Sequence, residues 1–137
     1  MTGHDLSAVE CIEKAGFPCP WSLESITAAC RDDLAFVIEA EGAVAGYLFA
    51  RPVLDEAELF TLAVASGYRR RGFARALLLH LFEVLRGRGC CRVFLELRPS
   101  NTAARALYQA SGFRALATRK GYYSNGEDAL VMSAEIV

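Results

Sequence analysis

The chain is short of the features that mark metal, membrane and nucleic-acid proteins. Its five cysteines, Cys11, Cys19, Cys30, Cys90 and Cys91, include no pair with the two-residue gap of a zinc knuckle. Five is an odd number, and the adjacent pair Cys90-Cys91 is poorly placed for an ordinary disulfide, so reduced and mostly buried thiols are expected. His4 and His80 have no partners at ligand spacing, and no metal site is expected. The opening MTGHDLSAVE lacks an apolar signal core, and no apolar run reaches transmembrane length. A cytoplasmic protein without a membrane partner follows as the expectation. Sixteen acidic residues offset fifteen basic ones, for a formal charge of −1. That balance excludes the broad basic surface of a general nucleic-acid binder. No linker, low-complexity tract or internal repeat interrupts the 137 residues, which predicts one domain over residues 1–137 with a sizeable core.

Hydrophobic residues make up 53% of the chain and charged ones 23%, the balance of a globular fold rather than a disordered one. Leu6 to Ala15 reads as a short helix stopped by Gly16. FPCPWS is a rigid, proline-rich connection, and Ser22 can cap a second helix running to about Arg31. Strands are predicted at Leu34 to Glu39, Val44 to Leu54 and Ala57 to Val64, with Glu41-Gly42 as a turn. The short loops predict antiparallel pairing. From Gly72 to about Arg86 the period changes. Phe73, Leu77, Leu81 and Leu85 recur four apart, with Leu78 and Phe82 beside them, as on a core-facing helix. Arg92 to Leu97 returns to strand. Asn101 to Ser111 is helical, with Gly112 just past its end. Strands around Phe113 to Tyr122 and Asp128 to Ile136 close the chain. The order ααβββαβαββ predicts an α/β fold with a mixed, mostly antiparallel sheet and helices on both faces.

The stretch YRRRGFARALL, Tyr68 to Leu78, sets three arginines on a turn between an apolar strand and a helix start. A helix N-terminus offers unpaired N–H groups and partial positive charge, which suits phosphate. Gly72 permits close approach to the backbone, and Arg69 and Arg71 supply forked donors. A charged, solvated turn fits the same residues, and the turn alone leaves both readings open.

The segment RRRGFA matches the pattern Q/R-x-x-G-x-G/A and resembles the acetyl-coenzyme A loop of the GNAT superfamily of N-acetyltransferases. VLDEAELFTLAV, LELRPSNTAARALYQASGF and GYYSNGEDALVM extend the likeness, from Phe17 onward, to the RimI group, the ribosomal-protein alanine N-acetyltransferases. The resemblance implies the GNAT fold and acetyl-coenzyme A as co-substrate. It also implies a protein N-terminal α-amine as acceptor, the alanine of a small-subunit ribosomal protein. Arg69 stands where glutamine is common and Ala74 replaces the last glycine, both within the pattern. Pro18 and Cys19 are extra residues in the loop expected to border the acceptor groove.

By that resemblance Arg69, Arg70, Arg71, Gly72, Phe73 and Ala74 bind the cofactor's pyrophosphate. The strand backbone at Leu62, Ala63 and Val64 pairs with pantetheine and polarises the acetyl carbonyl. Asn101 contacts the pantetheine arm, and its pattern also suits a helix N-cap. Strand alternation puts Phe94 and Glu96 on one face and Val93, Leu95 and Leu97 on the other. Pattern alone makes Glu96 a solvated glutamate. The resemblance implies a proton acceptor in apolar surroundings, acting directly or through a water. Tyr108 is a core tyrosine by pattern and the acid that protonates the thiolate by resemblance. An α-amine, with a pKa of ~7.7–8.0 against ~10.4 for lysine, is the more easily neutralised acceptor. Asp55, Glu56 and Glu58 form either a solvated turn or a field for a cationic peptide. Tyr122 and Tyr123 either wall the groove or pack the sheet edge. Two alternatives stay open: a small amine or internal lysine as acceptor, and a coenzyme A-binding module without chemistry.

Overall fold

The computed structural model describes residues 3–16, 22–123 and 126–136. The proline-rich connection with Pro18 and Cys19 lies outside the described residues. The elements are α1 (Gly3–Gly16), α2 (Leu23–Asp32), β1 (Leu34–Ala40), β2 (Ala43–Val53), β3 (Glu56–Val64), a 3-10 turn (Ser66–Tyr68), α3 (Phe73–Gly87), β4 (Arg92–Leu97), α4 (Thr102–Ala110), β5 (Arg114–Arg119) and β6 (Ala129–Glu135). The hydrogen-bonded strand order is β1-β2-β3-β4-β6-β5. The predicted order of elements holds, with no end moved by more than three residues. Two units divide the chain: residues 1–51 with 60–81, and residues 52–59 with 82–137.

The first unit is built on the β1–β2 hairpin. Its two-residue turn needs left-handed backbone at both positions, and Glu41 (φ 55°) and Gly42 (φ 79°) supply it. Ser22 caps α2 by accepting from the Ser25 N–H at 3.1 Å. Val9 and Ile12 of α1, Ile26 of α2, and Tyr47 and Phe49 of β2 form the core, with Phe60 and Ala63 of β3 packed against it. Each large apolar side chain buried this way contributes about 1.5–3 kcal/mol. Glu13 lies within this core at 2% exposure, and the buried Tyr47 hydroxyl donates to its carboxylate. Gly46 is required by close approach: a Cβ there would stand 2.8 Å from the Ala63 carbonyl oxygen.

In the second unit, β3 and β4 run parallel, pairing Glu56 with Arg92 through Leu59 with Leu95. That ladder stops there, although β3 runs on to Val64 and β4 to Leu97. β6 lies antiparallel to both β4 and β5. β5 is the outermost strand and is exposed along its whole length, with a bulge between Ala115 and Ala117. Val93, Leu95 and Leu97 are buried and alternate with Phe94 and Glu96, as period two predicts. Phe113 is buried between aromatic neighbours, its ring 5.5 Å from Tyr108 and 6.0 Å from Phe82.

Candidate active site

The arginine turn belongs to the first unit. Arg70 (φ 64°) and Gly72 (φ 80°) both adopt left-handed backbone. The Ala76 N–H donates to the Gly72 carbonyl at 3.0 Å, so α3 starts directly from the glycine. A Cβ on Gly72 would meet nothing within 4 Å, and the loop surface there is open. The turn thus presents free N–H groups of a fifteen-residue helix on a backbone bent twice into the left-handed region. All three arginines are exposed. Arg69 Nε donates to the Val64 carbonyl at 3.3 Å, so that carbonyl, expected to be open to pantetheine, already has a donor. Arg71 reaches Glu41 at 3.3 Å and lies over the rings of Tyr68 (5.5 Å) and Phe73 (5.4 Å). Both ends of the Arg71–Glu41 pair are well solvated, and such a pair is readily exchanged for another anion.

Glu96 belongs to the second unit. Register explains its setting. Glu96 pairs with Val131 on β6, and Val131 pairs with Ala117 on β5. Two residues further along β5, on the same face, stands Arg119. Its Nη1 is 3.3 Å from Glu96 Oε1. Tyr122 lies just beyond. Hydrogen-bonding proximity to the Glu96 carboxylate, then the carboxylate's charge and partial burial, raise the Tyr122 phenol above its ordinary range. Arg119 also lies over the Tyr122 ring at 5.6 Å. The apolar setting expected of Glu96 is therefore corrected: its carboxylate faces a guanidinium and a phenol. It opens into a cavity of about 380 Å³ shared with Glu58, Phe94 and Val131.

Tyr108 is the buried residue of α4, at 8% exposure. Burial alone pushes its phenol well above the ordinary tyrosine range. The expected match to a thiolate's basicity is corrected accordingly: here the phenol holds its proton more firmly than a solvated one. Asn101 caps α4, accepting from the Ala104 N–H at 3.2 Å. The preceding loop is clamped by Glu127, which accepts from the Ser100 hydroxyl at 2.6 Å and from Arg98 Nη1 at 3.1 Å.

With this geometry in view, residues 6–113 match the family model described as Acetyltransferase (GNAT) family. The chain belongs to the GNAT acetyltransferases. It is 39% identical over 136 residues to the [ribosomal protein bS18]-alanine N-acetyltransferase of Escherichia coli (strain K12), covering 96% of this chain and 92% of that one. The crystal structure of the ribosomal-protein-S18-alanine N-acetyltransferase from Escherichia coli is 38% identical and superposes with a TM-score of 0.90, over 99% of this chain and 90% of that one. Ard1 from Thermoplasma volcanium superposes with a TM-score of 0.95 over 100% of this chain and 95% of that one, at 24% identity, and shares the fold.

Within this GNAT chain, sequence reasoning named Glu96 but missed its partner Arg119. No local spacing joins β4 to β5, and only the strand order β4-β6-β5 brings the two together. Tyr122 was read as either a groove wall or sheet-edge packing, and its interaction with Glu96 places it beside that carboxylate. His80 is exposed and meets Phe36 edge-on at 4.7 Å, a surface contact. Of the five cysteines, the side chains of three are described: Cys11 and Cys91 are exposed and Cys90 is buried, while those of Cys19 and Cys30 lie outside the described residues. Among the described residues, no group of three or more His, Cys, Asp or Glu side chains is placed to hold a metal ion. No described helix is long and apolar enough to cross a membrane.

Proposed function

We propose that this chain transfers the acetyl group of acetyl-coenzyme A to a protein N-terminal α-amine, that of the alanine beginning a small ribosomal-subunit protein, and that it works in the cytoplasm. The observation that carries the acceptor is the 39% identity, over nearly the full length of both chains, to a [ribosomal protein bS18]-alanine N-acetyltransferase.

The arginine turn fits the donor. Free N–H groups at the start of α3, the left-handed backbone at Arg70 and Gly72, and three solvated guanidiniums suit a pyrophosphate. Phe73 and Ala74 open the helix behind the loop, and Asn101 and the Leu62, Ala63 and Val64 backbone remain the pantetheine contacts. In the reaction the amine nitrogen attacks the thioester carbonyl, the C–N bond forms and the C–S bond breaks. A proton leaves the nitrogen and another must reach the departing sulfur. Glu96 takes the first, directly or through a water. The ammonium of an arriving N-terminus can replace Arg119 beside Glu96, since that guanidinium is 60% exposed and held by a screened pair and a ring contact with Tyr122. Tyr108 supplies the second proton or a hydrogen bond to the thiolate.

The test is acetyl-coenzyme A with equal concentrations of an alanine N-terminal peptide, a lysine peptide blocked at its N-terminus, and a polyamine, followed by product mass. Acetylation of the α-amine at the highest kcat/KM is expected. Equal or better acetylation of lysine or polyamine overturns this acceptor, and absence of all products leaves a coenzyme A-binding module.

A further inference from the structure

A buried hydroxyl in the first unit lacks a partner. Thr61 of β3 is 8% exposed, and among the described residues its Oγ1 makes no hydrogen bond. A buried polar group in that condition costs stability, and folds rarely keep one. Thr61 stands one residue before Leu62, Ala63 and Val64, the strand backbone proposed to meet pantetheine. Past Leu59 that backbone has no ladder to β4, and β2 is its other neighbour in the sheet. There the two strands approach closely. The Ala65 N–H donates to the Ala45 carbonyl at 2.8 Å, and Gly46 lies against the Ala63 carbonyl with no room for a Cβ.

Behind Thr61 lies a pair that joins β2 to α1. The Tyr47 phenol donates to the carboxylate of Glu13, in the last turn of α1, and both side chains are buried. With its one proton committed to Glu13, the phenol oxygen can only accept from a further group. The Thr61 hydroxyl is a donor placed to reach it. Burial first, then the bond to Glu13 and its charge, raise the Tyr47 phenol, and the nearby Thr61 hydroxyl acts against them. That hydroxyl still falls short of a hydrogen bond. A small displacement of β3 would complete a chain from Thr61 through Tyr47 to Glu13, and chained hydrogen bonds strengthen one another.

We infer that Thr61 is a positioning residue for the donor: as pantetheine pairs with the strand just beyond it, the Thr61 hydroxyl closes onto Tyr47 and fixes that strand in its donor-bound place. This rests on the reading of Leu62, Ala63 and Val64 as the pantetheine contacts. A ligand favours whichever state it binds better. Here the bound state also satisfies a hydroxyl that the free protein leaves unpaired. Closing one neutral hydrogen bond is worth about two- to tenfold in donor affinity. Glu13 acts through Tyr47, by taking the phenol's proton and leaving its oxygen to accept from Thr61. The nucleotide end of coenzyme A, held at the arginine turn, draws nothing from this chain of bonds.

Calorimetry with coenzyme A, and with its 3′-phosphorylated adenosine diphosphate end alone, reads the two parts of the donor separately. Thr61→Val keeps the shape and removes the hydroxyl. It should weaken coenzyme A about two- to tenfold and leave the nucleotide's affinity unchanged. Its melting temperature should hold or rise, because the free protein loses no bond. Thr61→Ser keeps the hydroxyl and should bind coenzyme A as the unmodified chain does. Tyr47→Phe removes the acceptor, so adding it to Thr61→Val should cost coenzyme A affinity nothing further. Unchanged coenzyme A affinity in Thr61→Val, an equal loss for both ligands, or losses that add in the double variant overturn the inference and leave Thr61 a core residue of β3. If the unmodified chain binds the nucleotide as tightly as coenzyme A, the pantetheine reading of the strand falls, and this inference with it.

Discussion

The arginine turn and the Glu96 cavity are made of different materials. In the turn, the proposed donor site is a matter of backbone: two left-handed residues and the free end of α3 shape it, while Arg69 and Arg71 lean on Val64 and Glu41. In the cavity, the proposed proton path is a matter of side chains: Glu96 is paired with Arg119 close to Tyr122, and Asp55, Glu56 and Glu58 share the cavity lining with Leu54, Phe94 and Val131. A backbone site should tolerate loss of a side chain and resist gain of a Cβ. A side-chain site should behave the other way, with large losses from small chemical changes.

The largest of these expected effects is at Tyr108. Tyr108→Phe removes one hydroxyl and keeps the ring against Phe113, so acetyl-coenzyme A affinity should survive while turnover falls by ~100-fold or more. Because burial raises this phenol above its ordinary value of ~10, it stays protonated below that pH, and any stability it contributes through the proton fades only above it. The defect should therefore be constant between about pH 6 and pH 9 when turnover is measured with saturating peptide. A defect that vanishes at high pH removes Tyr108 from the thiolate.

Next is the scaffold behind the turn. Tyr47→Phe leaves the buried Glu13 carboxylate without the Tyr47 donor, and should lower stability by about 1.5–3 kcal/mol in denaturant titrations. A change near zero would mean that Glu13 re-pairs without cost.

The backbone claim is tested at the turn itself. Gly72→Ala places a Cβ at φ 80° and should cost about 1–2 kcal/mol of loop conformation, roughly five- to thirtyfold in acetyl-coenzyme A affinity by calorimetry. Arg70→Gly relieves the same strain at φ 64° and should change affinity by only a few-fold. The reverse ranking would make the turn a side-chain site after all.

The smallest effect belongs to the clamp before α4. Hydrogen bonds from Ser100 and then Arg98 hold Glu127 below the usual carboxylate range. A lowered folded value means the clamp stabilises above the ordinary ~4.3 and is lost as pH falls through the folded value. Glu127→Gln should remove that acid sensitivity, read as a smaller drop in melting temperature between about pH 5 and pH 3.

The same division explains what the sequence revealed. Elements governed by local rules were legible: the four-residue stripe of α3, the Glu41-Gly42 turn, the Ser22 and Asn101 caps and the alternation of β4. The arginine turn was legible too, because glycine, helix start and charge are neighbours in the chain. Arg119 was not, since its meeting with Glu96 depends on β6 lying between β4 and β5. For Tyr108 the pattern marked a core tyrosine, and burial is observed, but the strength of the desolvation that raises its phenol depends on the packed core. Leu54 was read as the end of a strand, and its exposure comes from a left-handed turn that no glycine announces.

The measurement that bears most directly on the proton path is turnover against pH for Glu96→Gln and the unmodified chain with one alanine N-terminal peptide. The substitution keeps the shape and removes the acceptor, so turnover should fall ~100- to 10,000-fold near neutral pH. As pH rises past the ~7.7–8.0 of an α-amine, more of the acceptor is already neutral and the gap should narrow. A gap that stays constant across the range, or full activity at every pH, would contradict the assignment of Glu96 as the group that takes the amine's proton.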